Sequence, residues 1–410
     1  MLHAELIRKY NVPGPRYTSY PTALNLKPIE RKKRLELSQL LDSGTKSLSL
    51  YMHIPFCHSL CWYCGCSRII TQNPRKASRY LDSLEKEMQL ASKELSPNIK
   101  LQQVHFGGGT PTFLSPEQVY RLGEMLHTYF NLNNKTEFGV EIDPRSFTEQ
   151  MADAWTSIGM NRASLGVQDT DESVQKAINR LQPFELTAQS IQWLRDRKIK
   201  SINLDLIYGL PKQTIYSFEQ SLYDTLALQP DRYAIYSYAH LPNRFAGQRL
   251  IDESTLPQPE DKLSMLLRAH QIMEDANYTF IGMDHFAKKD DELSKALENG
   301  TLQRNFMGYS TKGGLDMLGL GLTSISKLGN HYLQNAKKLR SYDDLLQDKQ
   351  LPYEKAFSLT EDDRIRQQII MDIMCKRRVD FDEISQKFDI DSVQLLSEEI
   401  ASLEPLIEDG

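Results

Sequence analysis

From about residue 47 the chain alternates short runs of two-residue apolar period with longer runs of helical period, and no other feature restricts the fold as much. The strand-like runs are SLSLYMHI (47–54), QQVHF (102–106), EFGVEI (137–142), RASLGV (162–167), SINLDLI (201–207), RYAIYSY (232–238) and FIGMDHF (280–286). Between them lie ASRYLDSLEKEMQLASKEL (77–95), PEQVYRLGEMLHTYF (116–130) and LTAQSIQWLRDR (186–197), amphipathic stretches that each bury one apolar stripe on a sheet. Repeated βα units predict an α/β fold built on a partial β/α barrel over residues 46–290. In that architecture reactive groups sit on loops at the carboxyl ends of the strands, which tells us where motifs ought to fall.

Two flanks depart from the alternation. Residues 1–45 contain the proline-stiffened VPGPRYTSYPT (12–22), expected as an arm laid over the active site. Residues 291–410 are expected as a smaller, mainly helical C-terminal region, and after about residue 360 the helices resemble those of a winged-helix unit. Residues 379–410 carry ten acidic side chains and one lysine, a charge that repels phosphate, so a packing domain is favoured over a DNA reader. The chain ends at LIEDG, where a wing hairpin would begin, so this unit is expected to be incomplete.

A net charge of -5 on 410 residues points to neither a nucleic-acid binder nor a polyanion. The opening MLHAELIRKY has charges where a signal peptide needs an apolar run, and no stretch is long and apolar enough to span a bilayer. A soluble, cytoplasmic protein is expected. No long exposed apolar helix asks for a partner, so a monomer is expected.

Of five cysteines, four (Cys57, Cys61, Cys64, Cys66) lie in a ten-residue window, where a disulfide framework would scatter them. They read as metal ligands. Cys375, in the apolar helical run IIMDIMC, reads as a buried small hydrophobe. Directly after the first strand, HIPFCHSLCWYCGC spaces cysteines by three and then two residues. Three thiolates on one tight loop can hold three irons of a cubane and leave the fourth open to a chelating molecule. The competing reading is a structural zinc knuckle that recruits Cys66 or His58. Cys66 follows Cys64 too closely to bite well on one cubane and stays outside the ligand set, near enough to matter for substrate. His53 is read as a supporting group rather than a ligand.

After the second strand, FGGGTPT (106–112) removes three successive Cβ atoms, so backbone can approach a ligand, unless the run is only a tight turn. After the third, EIDP (141–144) puts Glu141 at the same rim, where a carboxylate could bind a ribose diol. Asp284 and His285, in the last strand-like run, could meet substrate or be satisfied core polar groups.

Together these motifs resemble the radical S-adenosylmethionine (SAM) superfamily, and more closely the oxygen-independent coproporphyrinogen III oxidases. The resemblance runs over essentially the whole chain: NVPGPRYTSYPT (11–22), YMHIPFCHSLCWYCGC (51–66), HFGGGTPT (105–112), EIDPR (141–145), LGVQD (165–169), INR (178–180), NLDLIYGLPKQT (203–214), YAHLP (238–242), FIGMDHFA (280–287) and RNFMGY (304–309). It implies one [4Fe–4S] cluster on Cys57, Cys61 and Cys64, with SAM on the open iron surrounded by Tyr51, Tyr63, Gly108, Gly109, Thr110, Glu141 and Ile325. It implies a second SAM near Gln168, Arg180, Asp205 and Ala239, although the ordinary expectation for Arg180 alone is a surface ion pair.

The implied reaction is oxidative decarboxylation of two propionates of coproporphyrinogen III to vinyl groups, with a low-potential protein as electron donor. Arg16 is then a candidate carboxylate partner, with Tyr17 and Tyr20 lining the tetrapyrrole, unless the tyrosines only pack the arm. Two rivals remain. A related family of haem chaperones shares HIPFC and GGGTP but generally lacks the PGPRYTSYPT arm and has an aromatic residue where this chain has Cys66. The other is a zinc-stabilised, non-catalytic scaffold.

Overall fold

The structure, a computed structural model, describes residues 4–10, 20–42, 47–96, 99–305 and 307–409. Six strands follow one another in parallel: β1 (Ser47–Ile54), β2 (Lys100–Gly108), β3 (Glu137–Ile142), β4 (Arg162–Gln168), β5 (Ser201–Tyr208) and β6 (Arg232–Ser237). The longer helices between them are α1 (Pro74–Glu94), α2 (Pro116–Tyr129), α3 (Glu149–Ser157), α4 (Phe184–Asp196) and α5 (Ile215–Leu226), and α6 (Pro259–Asp275) follows β6. Helix starts follow local chemistry. Asn73 caps α1 with Pro74 behind it, and Ser115 and Gln118 form a reciprocal capping box on α2.

Along the strands one register is apolar and fully buried, while the alternation is broken by irregularities at Leu48/Ser49 and Gly166/Gln168. Leu50 and Met52, Val104 and Phe106, Phe138 and Val140, Ile202 and Leu204 are wholly buried or nearly so, forming the outward register under the helices. Trp155 of α3 is fully buried edge-on to Phe106, at 5.1 Å between ring centroids. Burying such side chains contributes about 1.5–3 kcal/mol each. The other register faces inward and is polar. Tyr51 stands opposite His105, His105 opposite Gly139, Glu141 opposite Ser164, Ser164 opposite Asn203, and Gly166 opposite Asp205. Branched apolar side chains fill the common closed barrel. Here polar residues leave an open chamber instead.

Beyond β6 the run FIGMDHF is not one strand. It is an antiparallel hairpin of β7 (Tyr278–Gly282) and β8 (His285–Lys288), turned at Met283 with φ 50°. Asp284 and His285 therefore sit at the turn and the start of β8, and β8 pairs with β6. The expected boundary at residue 290 does not follow the sheet either. Strands β9 (Asp316–Leu320), β10 (Ile325–Leu328), β11 (His331–Asn335) and β12 (Tyr353–Ser358) extend it on the other side, and β9 lies parallel to β1. Among the described residues the sheet has 13 strands, ordered from Lys27–Pro28 through β12, β11, β10, β9, β1, β2, β3, β4, β5, β6 and β8 to β7. Residues 291–410 thus supply strands as well as α7 (Leu339–Gln347), α8 (Glu361–Lys376) and the short helices after it.

At the amino end of the barrel a charge network forms a floor. Arg162 meets Glu137 at 3.1 Å and also Glu292, and Arg232 meets Asp291 at 2.9 Å and Glu292 at 3.0 Å. Of the arm, Arg16 and Tyr17 lie outside the described residues. Tyr20 does not line the chamber: its hydroxyl donates to Asp363 Oδ1 on α8 at 2.8 Å, and its carbonyl accepts from the Tyr332 hydroxyl at 3.2 Å. Cys375 is buried against Met371, in keeping with a small hydrophobe. No helix among the described residues is long and apolar enough to cross a membrane.

Candidate active site

The cysteine loop springs from the carboxyl end of β1, and the glycines at the end of β2 explain how it is held there. A Cβ on Gly109 would stand 2.7 Å from the carbonyl oxygens of both Pro55 and Phe56. One on Gly107 would stand 2.7 Å from Glu141 Oε1. Gly108, at φ 126°, would meet the Ile54 carbonyl at 2.7 Å. The space left by the three glycines is thus filled by the chain itself. Gly109 N–H then bonds Ile54 O at 2.9 Å, and Thr110 N–H bonds Phe56 O at 2.9 Å, which seats the root of the loop against β2. The far end is tied by His53, whose Nε2 lies 3.0 Å from Ser67 O and whose Nδ1 lies 3.2 Å from the Tyr51 hydroxyl. Burial holds the imidazole pKa down, favouring the neutral ring, so His53 acts as a strut.

The thiols stand in unlike surroundings. Burial pushes Cys57 up to about 12, while a hydrogen bond from Cys66 brings Cys64 down to about 6. Binding a metal centre here would therefore release protons and would be favoured at higher pH. A single zinc ion would need its sulfur ligands within about 4 Å of one another. Among the described residues no group of three His, Cys, Asp or Glu side chains is drawn together as a metal-ion site. His58 packs its ring on Phe113, at 4.5 Å between centroids. Three cysteine thiols on one loop are the soft donor set that a [4Fe–4S] cluster takes.

Two guanidiniums brace this loop. Arg180 Nη1 lies 3.6 Å from Cys61 Sγ, and its Nη2 donates to Gly166 O at 2.7 Å. Arg145 Nη2 lies 3.4 Å from the same sulfur. Asp143 joins them, accepting from Arg145 Nη2 at 2.6 Å and from Arg180 Nη2 at 3.3 Å, and the two cations hold its carboxyl far below the usual range despite burial. The expectation of a surface ion pair for Arg180 is corrected: it is 5% exposed, because INR returns the chain beneath the cysteine loop.

Beside the loop opens a cavity of about 350 Å³, lined by Tyr51, Cys66, Gly108, Glu141 and Ile325 together with His53, His105, Met307, Thr323 and Ser324. Glu141 accepts from Gly108 N–H at 3.3 Å and faces His105 Nε2 at 3.4 Å. A second, deeper cavity of about 210 Å³ shares His105, Glu141 and Met307 with the first and contains Asp205, Tyr236 and His285. Burial and the nearby Glu141 charge push the Asp205 carboxyl up to about 7, although Ser164 Oγ and Asn203 Nδ2 donate to it at 3.1 Å and 2.8 Å. Asp284 contributes its carbonyl to Ile235 N–H at 2.7 Å and lines neither cavity.

The remaining candidates gather on the other flank of the loop. Tyr63 O and Ala239 O both accept from Gln248 Nε2, at 3.0 Å and 3.2 Å. Gln168 closes β4 at φ 72°, a conformation that costs a non-glycine residue energy. Thr110 is buried, with Oγ1 at 2.8 Å from Thr112 Oγ1, and does not reach either cavity. Asp143, Arg145, His105 and Thr323 were not singled out by sequence reasoning. The first two stood in EIDPR, where opposite charges two residues apart at a strand end were the available signal.

Comparison with known proteins identifies the family. Residues 51–222 match the model of the Radical SAM superfamily, and residues 359–410 match that of the HemN C-terminal domain. The chain is 44% identical to the oxygen-independent coproporphyrinogen III oxidase of Pseudomonas aeruginosa, across 99% of this chain and 89% of that protein. It is 42% identical to the protein of the same name from Escherichia coli, across 99% and 88%. The solved structure described as coproporphyrinogen III oxidase (HemN) from Escherichia coli, a radical SAM enzyme, superposes with a TM-score of 0.94 at 40% identity, covering 99% of this chain and 92% of that one. The chain belongs to the oxygen-independent coproporphyrinogen III oxidases, a family of radical SAM enzymes.

Proposed function

We propose that Cys57, Cys61 and Cys64 hold one [4Fe–4S] cluster and that the adjoining cavity receives SAM on its open iron. The chain then acts on coproporphyrinogen III, turning two propionates into vinyl groups and giving protoporphyrinogen IX for haem. When bound, the cluster would pass one electron to SAM and so supply a 5′-deoxyadenosyl radical able to take a hydrogen atom from a propionate β-carbon; CO2 would then leave and an external one-electron acceptor would take the remaining electron. The reading rests on one observation: soft thiols and a polar cavity lined by Tyr51, Cys66, Gly108, Glu141 and Ile325 lie side by side at the carboxyl rim of the barrel.

The protein's own part is to bind, orient and shield. Glu141, packed over Gly107 and already accepting from Gly108 N–H, keeps carboxylate lone pairs that a ribose diol could use. Tyr51, stacked on His105 at 6.1 Å, offers a flat wall, and Ile325 offers an apolar one. A cavity of about 350 Å³ suits a small cofactor. For a second SAM we assign Gln168, Arg180, Asp205 and Ala239. The Arg180 Nε, buried and without a hydrogen-bond partner, supports this, since a buried donor calls for an acceptor. Substrate propionates would meet Arg16 and neighbouring basic groups. On the substrate side we assign His285, in the deeper cavity, and Cys66, in the first; Asp284 and Tyr20 line neither. The donor of the first electron is a low-potential protein, the working form a monomer, and the compartment the cytoplasm, where thiols stay reduced.

Anaerobic turnover tests the assignment. Reconstituted protein given SAM, reductant and coproporphyrinogen III should release 5′-deoxyadenosine and form vinyl porphyrinogen. Release of 5′-deoxyadenosine with no vinyl product would remove the substrate. Tight haem binding with no turnover would favour a chaperone.

A further inference from the structure

Arg145 lines neither cavity and does not belong to the residues that the resemblance assigns to SAM. Its side chain is 19% exposed and is held in one pose. Nε donates to Asp143 Oδ1 at 3.0 Å, Nη2 donates to Oδ2 at 2.6 Å, and its own backbone N–H bonds Oδ1 at 3.1 Å. This two-point grip on one carboxylate fixes the plane of the guanidinium. The fork then presents Nη1 to Ser59 Oγ at 3.5 Å and Nη2 to Cys61 Sγ at 3.4 Å. Ser59 and Cys61 are both on the cysteine loop, so the arginine bridges the end of β3 to the segment between two ligands.

The charge count matters as much as the contacts. One carboxylate, Asp143, serves two guanidiniums, Arg145 and Arg180, which leaves a net positive charge beside Cys61 Sγ. Cys61 is 8% exposed, so solvent and salt screen that charge weakly. Adding an electron to a thiolate-bound cluster adds negative charge. Donors and cations at a ligand sulfur favour the reduced form and raise its potential.

We infer that Arg145, gripped by Asp143, is a positioning residue that makes the cluster easier to reduce by hydrogen-bonding the Cys61 thiolate. The inference rests on the proposed ligand set, and the test separates the two. It is a potentiometric titration of the anaerobically reconstituted protein, followed by the electron paramagnetic resonance of the reduced cluster, with iron and sulfide counted per chain. Arg145→Met should keep the wild-type iron and sulfide content. At a fixed potential its ratio of reduced to oxidised cluster should fall about tenfold, a shift of about 59 mV to more negative values for one electron.

Arg145→Lys, which keeps the charge and loses the fork, should recover part of that shift. Arg145→Gln, which keeps a donor and loses the charge, should fall between Met and wild type. An unchanged midpoint in a fully loaded Met variant overturns the inference while leaving the ligand set intact. If Met, Gln and Lys variants all fail to hold the cluster, the residue is structural and the inference is likewise overturned. A wild-type protein without iron and sulfide defeats the ligand set itself.

Discussion

Glu87 of α1 is fully buried beneath the turn that carries Thr323, Ser324 and Ile325 to the SAM cavity, and it makes stability depend on pH. Its carboxylate accepts from Gly321 N–H at 2.7 Å, from Asn335 Nδ2 at 2.6 Å and from the Tyr342 hydroxyl. Tyr80 lies alongside, accepting from Leu322 N–H at 2.9 Å and donating to His53 O at 2.7 Å. Burial outweighs these donors and pushes the carboxyl from 4.5 up to about 7. The folded state thus holds the proton more tightly than the unfolded one. The stabilisation is complete below about pH 4.5 and is lost as pH rises through about 7.

That interval, at about 1.36 kcal/mol per pH unit, amounts to about 3 kcal/mol. Glu87→Gln cannot ionise and lacks this slope. Urea unfolding of wild type and variant, followed by tryptophan fluorescence at several values between about pH 5 and pH 8, should show their difference moving by about 2.5 kcal/mol in the variant's favour with rising pH. Asp169 and Asp205, raised to about 6 and about 7 by burial, act in the same direction in both proteins and cancel. Parallel pH dependences would refute the reasoning and mean that Glu87 is ionised, held by its three donors.

Gly109→Ala forces a Cβ to 2.7 Å from two backbone carbonyls, so it should cost about 1–3 kcal/mol and lower the iron content per chain, read by metal analysis beside thermal unfolding. Cys57→Ala, Cys61→Ala and Cys64→Ala should each abolish the iron–sulfur absorbance, whereas Cys66→Ala should retain it and lose turnover; loss of the cluster in Cys66→Ala would place it in the ligand set. Tyr20→Phe removes the hydroxyl held by Asp363, and should cost about 1 kcal/mol in unfolding, an effect absent when Asp363→Asn is already present in a double-mutant cycle.

The strands of the barrel were legible because period and length agree: β1 and β3 have the bounds read from the alternation. FIGMDHF reads as one strand because it is apolar at both ends, whereas the chain turns at Met283, between Gly282 and Asp284. Strands β9 to β12 escaped because β9 finds its partner β1 more than 260 residues away, where a window of sequence cannot look. One local clue did exist. Leu328 and His331 pair across Gly329-Asn330, a two-residue hairpin signal. At the site, motif spacing gave the cysteines, the glycines and Glu141. The second guanidinium on Cys61 comes from Arg180, brought back by a fold that spacing does not encode. The spacing of the glycines predicts room for a ligand, and most of that room is taken by Glu141 and the carbonyls of β1 and its loop.

The central claim is that three sulfurs hold a cubane with one iron left for SAM. Electron paramagnetic resonance of the dithionite-reduced, reconstituted protein, with and without SAM labelled with nitrogen-15 at its amine, tests it most directly. The account predicts an iron–sulfur signal that changes when SAM is added and couples to the labelled nitrogen. A reduced cluster whose signal is indifferent to SAM, or a protein that carries zinc in place of iron and sulfide, would contradict it.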